Sequence, residues 1–153
     1  MENYKIISLS KGRFDETVQV VLNAELDTRE EIEHHLQHLE AHYIAIDQDK
    51  VVGVIGWYQD NVNYANEAMG EDFPGEEAYW VGFFAVDKKY RFRGIGKALL
   101  DKLEQIVKEK GVSKLYVSSV PETNTYYEKH GFKLIKEGEI SGNHKFFMVK
   151  ELV

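Results

Sequence analysis

The hydrophobic and polar positions fall into short blocks that predict a chain of alternating strands and helices. Tyr4 to Leu9 is the first apolar run, closed by Ser10-Lys11-Gly12, and predicts a strand. Phe14, Val18, Val21 and Leu22 then recur at helical spacing and predict an amphipathic helix. A second helix is expected after Asp27. Thr28 and Glu31 have capping-box spacing, and Ile32, Leu36 and Leu39 supply one apolar stripe. The two helices would form the side wall of a cleft. Residues 43–47 and 51–58 predict an antiparallel hairpin across the polar turn Asp47-Gln48-Asp49-Lys50. Gly53 and Gly56 in its second strand mark a bulge or a close approach to the backbone.

From Gln59 to Glu77 the chain turns polar, with Asn61, Asn63, Asn66, Gly70, Pro74 and Gly75. So long a connection often borders a ligand site, and a short helix is expected over Ala65 to Met69. Tyr79 to Val86 is almost entirely apolar and predicts one continuous central strand, covered on both faces. A helix from Gly94 to about Lys110 follows, with Ile95, Leu99, Leu103, Ile106 and Val107 on one side and Gly111 at its end. Leu115 to Val117 begin the next strand, and the strand–helix–strand order makes it a parallel neighbour of the central one. Pro121 and Glu122 open a short helix through Lys129, stopped by His130-Gly131. Phe132 to Lys136 and Lys145 to Val149 close the chain as strands joined by a turn from Gly138 to Asn143. The fold class is α/β (α+β), a mixed sheet with an antiparallel front half, one parallel crossover and a closing hairpin.

Composition narrows this little. At 153 residues the expectation is a single domain over residues 1–153. A net charge of −7 argues against nucleic acid as partner and favours cationic small molecules. Without cysteine, disulfides, thiol nucleophiles and thiolate metal sites are excluded. The opening MENYKIISLS lacks a signal-peptide pattern, and no apolar stretch is long enough for a bilayer, so a cytoplasmic protein without membrane contact is expected.

The candidate chemistry gathers where the long helix starts. Arg91, Arg93 and Lys97 crowd a point that already carries orphan N–H groups and a partial positive charge, which argues for a bound anion. Gly94-Ile95-Gly96 fits neither nucleotide fingerprint. Leu99 stands where a dinucleotide fold needs its third glycine, and Gly96-Lys97 is followed by Ala98 rather than Ser or Thr. Elsewhere, His34, His35, His38 and His42 lie one turn apart in pairs on the second helix, a spacing compatible with metal ligation. They fall largely off the apolar stripe with no companion carboxylate motif, so a solvated face, and no metal, is expected.

Arg91-Phe92-Arg93-Gly94-Ile95-Gly96 matches the pattern [Gln/Arg]-x-x-Gly-x-[Gly/Ala], and Tyr127-Glu128-Lys129-His130-Gly131-Phe132 matches a second landmark, Tyr-Glu-Lys-x-Gly-Phe, downstream. With these two motifs in order, the chain resembles the GNAT superfamily of acetyl-CoA-dependent N-acetyltransferases over essentially its whole length. The resemblance implies the acyl-CoA N-acyltransferase fold, a mixed, mostly antiparallel sheet with splayed parallel central strands and flanking helices. It implies acetyl-CoA as donor, its pyrophosphate cradled by the N–H groups of Arg93, Gly94, Ile95, Gly96, Lys97 and Ala98, assisted by the Arg91 and Arg93 side chains. Phe84, Ala85 and Val86 would bond the pantetheine arm, with Asn124 and Tyr127 near it. Two departures stand out. Phe92 occupies a place where many relatives have glycine, and is expected at φ < 0 with its ring toward the adenine side. Val120 and Thr123 stand where Asn and Ala are usual.

The implied reaction is direct attack of a neutral amine on the thioester in a ternary complex. The resemblance assigns Tyr127 as general acid for the leaving thiolate, with Tyr126 its neighbour. The central strand has no carboxylate. Glu77, through water, is the first candidate base; Glu76, Asp72, Glu71, Glu25, Glu31 or a water chain to main-chain carbonyls are rivals. The expected acceptor is a primary amine on a small cationic molecule. A protein N-terminus or lysine, and a non-catalytic acetyl-CoA-binding module, are the alternatives. Homodimers are common in the family, which is analogy alone.

Overall fold

The structure, a computed structural model, describes residues 4–59 and 65–152, so Asn61 and Asn63 of the polar connection lie outside the described residues. The elements are β1 (Tyr4–Ser8), α1 (Phe14–Asn23), α2 (Arg29–Leu36), β2 (His42–Asp47), β3 (Lys50–Tyr58), α3 (Ala65–Met69), β4 (Tyr79–Val81), β5 (Ala85–Val86), α4 (Ile95–Glu109), β6 (Lys114–Ser119), α5 (Asn124–Lys129), β7 (Lys133–Ile140) and β8 (Asn143–Glu151). They divide into two compact units built from interleaved segments, Met1–Trp57 with Gly82–Ile106, and Tyr58–Val81 with Val107–Val153.

In the first unit β1, β2 and β3 pair antiparallel in that order, and β5 pairs antiparallel with β3. β2 is buried along its whole length, as a strand covered on both faces should be. Its period of two sorts the side chains: Ile44 and Ile46 join Val18 and Val21 of α1 and Ile32 and Leu36 of α2 in one core, while Tyr43 lies under Lys102 of α4. Gln48 (φ 50) and Asp49 (φ 63) are both left-handed, the two-residue hairpin geometry that matches strand twist. Arg13 clamps that turn, donating from Nη1 to the Asp49 carbonyl at 2.9 Å and pairing with its carboxylate. The register shift in β3 comes between Ala45 and Ile46 of its partner, and it turns both Val51 and Val54 toward the same core.

Thr28 caps α2 as its spacing predicted, its Oγ1 accepting from Glu31 N at 3.3 Å. The helix stops at Leu36, earlier than the apolar stripe suggested, and Leu39 falls in a separate 3-10 turn. The four histidines are therefore not one helical face. His42 opens β2 and is only 4% exposed, its Nδ1–H donating to the His38 carbonyl at 2.9 Å. Among the described residues no cluster of histidines and carboxylates could hold a metal ion.

In the second unit the β4–β6 pairing is parallel, at Tyr79↔Leu115 and Trp80↔Tyr116, as the crossover required. β6 then pairs antiparallel with β8, and β8 with β7. The core here is Ala65, Met69, Trp80 and Phe147, so the expected short helix α3 serves to cover the sheet. The closing hairpin is longer and tighter than expected. Gly138 lies within β7, facing Ala68 of α3, and the turn is Ser141-Gly142 alone, both left-handed.

The largest departure is in the central strand. Tyr79 to Val86 is not continuous: it breaks after Val81 and resumes at Ala85, with Gly82, Phe83 and Phe84 outside either strand. Apolar composition reports burial, and it does not report whether the backbone stays paired.

Candidate active site

In the first unit a short path leads from β5 to the start of α4. Val86 and Ala85 are held by Gly53 and Val54 of β3, and Asp87 N donates to Val52 O at 2.8 Å. The Asp87 carboxylate then accepts from Lys89 N at 2.9 Å and starts a 3-10 turn over Lys88–Tyr90. Arg91 is extended, Phe92 is left-handed at φ 65, Gly94 is left-handed at φ 81, and the helix begins at Ile95.

Phe92 thus corrects the expectation of a negative φ. The backbone takes the conformation that glycine would serve, at a cost of order 1 kcal/mol, and the ring is fully exposed at 105%. A Cβ on Gly94 would meet nothing within 4 Å beyond its chain neighbours, so the space beside this turn is open.

The N–H groups of Ile95, Gly96 and Lys97 stand in the first helical turn, where no intrahelical acceptor exists. Ala98 differs, since its N–H already donates to Gly94 O at 3.0 Å. Of the three cations, Lys97 is paired with Asp101 at 2.7 Å, an i,i+4 contact visible in the spacing but missed, and that carboxylate raises its pKa. Arg91 reaches the Val86 carbonyl with Nε at 3.4 Å, and Arg93 lies over the Tyr90 ring at 5.0 Å. Among the described residues neither arginine has a carboxylate within ion-pair distance. First-turn N–H donors close in sequence to two such guanidinium groups suit an anion of phosphate type.

The second unit carries the other motif. Tyr127 to Phe132 closes α5 as a Schellman turn: Phe132 N donates to Tyr127 O at 3.0 Å, Gly131 N donates to Glu128 O at 3.1 Å, and Gly131 takes φ 95. The motif's spacing is that geometry, because Phe132 packs on Tyr127 at a ring distance of 5.3 Å, the contact such a turn brings together. Tyr127 is 7% exposed, with Tyr126 edge-on at 5.7 Å. Burial, and then Tyr126 and Tyr58, raise its pKa well above the ordinary phenol value. Asn124 begins α5, later than the Pro121 expected, and its Nδ2 donates to Glu128 at 3.5 Å. Glu77 sits exposed in a turn, its carbonyl accepting from Gln59 at 3.0 Å, and Glu71, Asp72 and Glu76 are exposed beside it in sequence.

A family model described as Acetyltransferase (GNAT) family matches residues 6–132. The chain belongs to the GNAT acetyltransferase family. The main-chain donors and arginines ahead of α4 suit an anionic ligand. Over 50 residues the sequence is 40% identical to a Bacillus subtilis (strain 168) protein provisionally named an acetyltransferase, a match covering 33% of this chain and 34% of that protein, about a third of the relative's length. The fold is similar to that of Ard1 from Thermoplasma volcanium, with a TM-score of 0.79 and 16% identity over 99% of both chains. It is also similar to N-acetylglutamate synthase from Neisseria gonorrhoeae complexed with coenzyme A and N-acetyl-glutamate, with a TM-score of 0.78 and 16% identity, covering 100% of this chain and 36% of that one. Among the described residues, no helix of this GNAT chain is long and apolar enough to cross a membrane.

Proposed function

We propose that this acetyltransferase moves the acetyl group of acetyl-CoA onto a primary amine of a small, cationic acceptor by direct attack in a ternary complex. The observation that carries the donor half is the turn from Arg91 to Gly96. Among the described residues its arginines lack carboxylate partners, and the helix start behind it has N–H groups with no intrahelical acceptor. Ile95, Gly96 and Lys97, with Arg93 and Gly94, supply the main-chain donors for the pyrophosphate, and Arg91 and Arg93 add charge. Phe92 belongs to the same surface, and Asn124 to the cofactor arm. The interrupted segment Phe84 to Val86 carries the main-chain groups for that arm.

When bound, acetyl-CoA supplies an activated acyl carbon and a thiol leaving group. Tyr127 gives the sulfur its proton. Held above the ordinary phenol range, it stays protonated across working pH, and its hydroxyl stabilises charge developing on sulfur. The acceptor's proton leaves through water toward Glu77. The charge of −7 and the exposed acids at 71, 72, 76 and 77 support a cationic acceptor.

The test is release of free CoA thiol with a panel of polyamines, amino sugars, amino acids and N-terminal peptides. Release with a polyamine or amino sugar well above that with peptides is expected. Peptide-only release would overturn the acceptor class, and acetyl-CoA binding without release would overturn transfer. The donor assignment has its own test. Arg91→Ala with Arg93→Ala should raise the acetyl-CoA Kd about tenfold, the loss of about 1.4 kcal/mol of charge-assisted bonding. Lys97→Ala should cost less, because Asp101 already holds that ammonium. Calorimetry showing an unchanged Kd in the double variant would remove the arginines from the site.

A further inference from the structure

The break in the central strand is an offset of one residue against β3. Gly53 faces Val86, Val54 faces Ala85, and Asp87 N donates to Val52 O at 2.8 Å. Carried on in step, this ladder would bring the Phe83 N–H to the Gly56 carbonyl. The Gly82 N–H takes that carbonyl instead, at 2.6 Å. The central strand therefore holds one residue more than β3 over this stretch, with Phe83 and Phe84 sharing the place opposite Ile55. Such an offset stays in place only when both of its flanks are pinned. Ala85 and Val86 pin one, and the Gly56 carbonyl pins the other.

Gly56 is itself held from β2. It pairs with His42, and the two are so close that a Cβ on Gly56 would stand 2.3 Å from the ring's Cδ2, 2.6 Å from its Nε2 and 3.0 Å from the Ala41 carbonyl. At its opposite edge the buried ring donates from Nδ1 to the His38 carbonyl at 2.9 Å. The imidazole thus spans a fixed distance between the connection that leads into β2 and the backbone of β3. Burying it is costly and holds its pKa down to about 4, whereas an apolar ring would fill the same space without that cost. What an apolar ring lacks is the donor that anchors the far edge.

We propose that His42 is a positioning residue for acetyl transfer: anchored on His38, it is the strut that sets the place of Gly56 and, through the Gly82 bond, the offset in the central strand. The inference rests on the donor reading given above, in which Phe84 to Val86 carry the main-chain groups for the thioester-bearing arm. His42 acts through main chain alone and moves no proton. A displacement of Gly56 passes to Gly82 because a 2.6 Å bond is already at the short end of its range. Reacting groups misplaced by about 1 Å lose about a hundredfold in rate, so a shift of a fraction of that is measurable. The turn ahead of α4 is fixed by separate bonds, from Asp87 N to Val52 O and from Lys89 N to the Asp87 carboxylate, so the anionic end of the donor should be spared.

The experiment compares wild type with His42→Ala, His42→Asn, Gly56→Ala and the double variant carrying both alanines, at neutral pH, using the panel amine with the fastest wild-type thiol release. Asparagine offers its side-chain N–H in place of Nδ1–H. The expected fall in kcat is about tenfold in His42→Ala and about thirtyfold in Gly56→Ala, with His42→Asn within about threefold of wild type. The double variant should regain about the level of His42→Ala, because the new methyl group then meets no ring. The acetyl-CoA Kd by calorimetry should stay within about threefold throughout, which also confirms that the variants fold. Should Gly56→Ala not fold, His42→Ala against His42→Asn carries the same test. A wild-type kcat in His42→Ala, with only its urea midpoint lowered, assigns the ring to packing and overturns the inference. So do losses that multiply in the double variant, or a His42→Asn as slow as His42→Ala. No thiol release from wild type with any amine removes the transfer reading itself, and this inference with it.

Discussion

Replacing Tyr127 with phenylalanine is expected to lower kcat about a hundredfold while the KM for acetyl-CoA stays within about twofold. Positioned general acids contribute about 10²–10⁴ in rate, and the lower end applies because a phenol with a raised pKa is a reluctant donor toward a thiolate near 8.5. The substitution is mild for the fold. The ring keeps its contacts with Phe132 and Tyr126, and the Schellman turn is made by main-chain groups that the change leaves in place. The pH profile gives a second reading of the same side chain. Since burial disfavours the phenolate, ionisation of Tyr127 should cause no alkaline fall in wild-type kcat below about pH 10. An unchanged kcat in the variant would remove Tyr127 from the chemistry and leave it as a packing residue.

The second large effect is acid destabilisation through His42. Burial lowers its pKa from 6.5 to about 4, opposed by the bond from its ring to the His38 carbonyl. The ring has nowhere to go. A Cβ at Gly56 would lie 2.3 Å from its Cδ2, which is why β3 carries glycine opposite it. Between pH 6.5 and 4 the unfolded chain takes up a proton that the folded chain refuses, so stability rises with pH across this window. The contribution is whole above pH 6.5 and falls as acid is added, by about 3 kcal/mol at pH 4. Urea unfolding of wild type and His42→Gln at pH 7, 5.5 and 4 isolates it. The difference in stability between them should move in favour of the variant as pH falls. A constant difference would mean that His42 titrates normally in the folded state.

These two side chains also show where sequence reasoning reaches its limit. The turn that follows Tyr127 is legible because it is local: Gly131 and Phe132 sit at the offsets that the end of α5 demands, and such offsets are written in the chain. The cap at Thr28 and the turn ahead of α4 were legible for the same reason. His42 was assigned to a solvated helical face because its spacing from His38 suits a helix. The helix ends at Leu36, and the residue is drawn into β2 by pairing with Gly56, a partner fourteen positions away that periodicity cannot see. Phe92 was expected to avoid positive φ from its side chain alone, but the path from Asp87 to Ile95 dictates the backbone there.

Local sequence dictates the order and type of the elements, the turn ahead of α4, the closing Schellman motif and the family, since each depends on neighbours within a few residues. Tertiary structure alone decided where the central strand breaks, which histidine is buried and which is packed on Phe83. Among the described residues it also leaves Arg91 and Arg93 without carboxylates while giving Lys97 one. Those outcomes turn on competition between distant groups for the same backbone partners and the same buried space. An apolar run states that it will be buried, and only the assembled strands settle which of its N–H and C=O groups are paired.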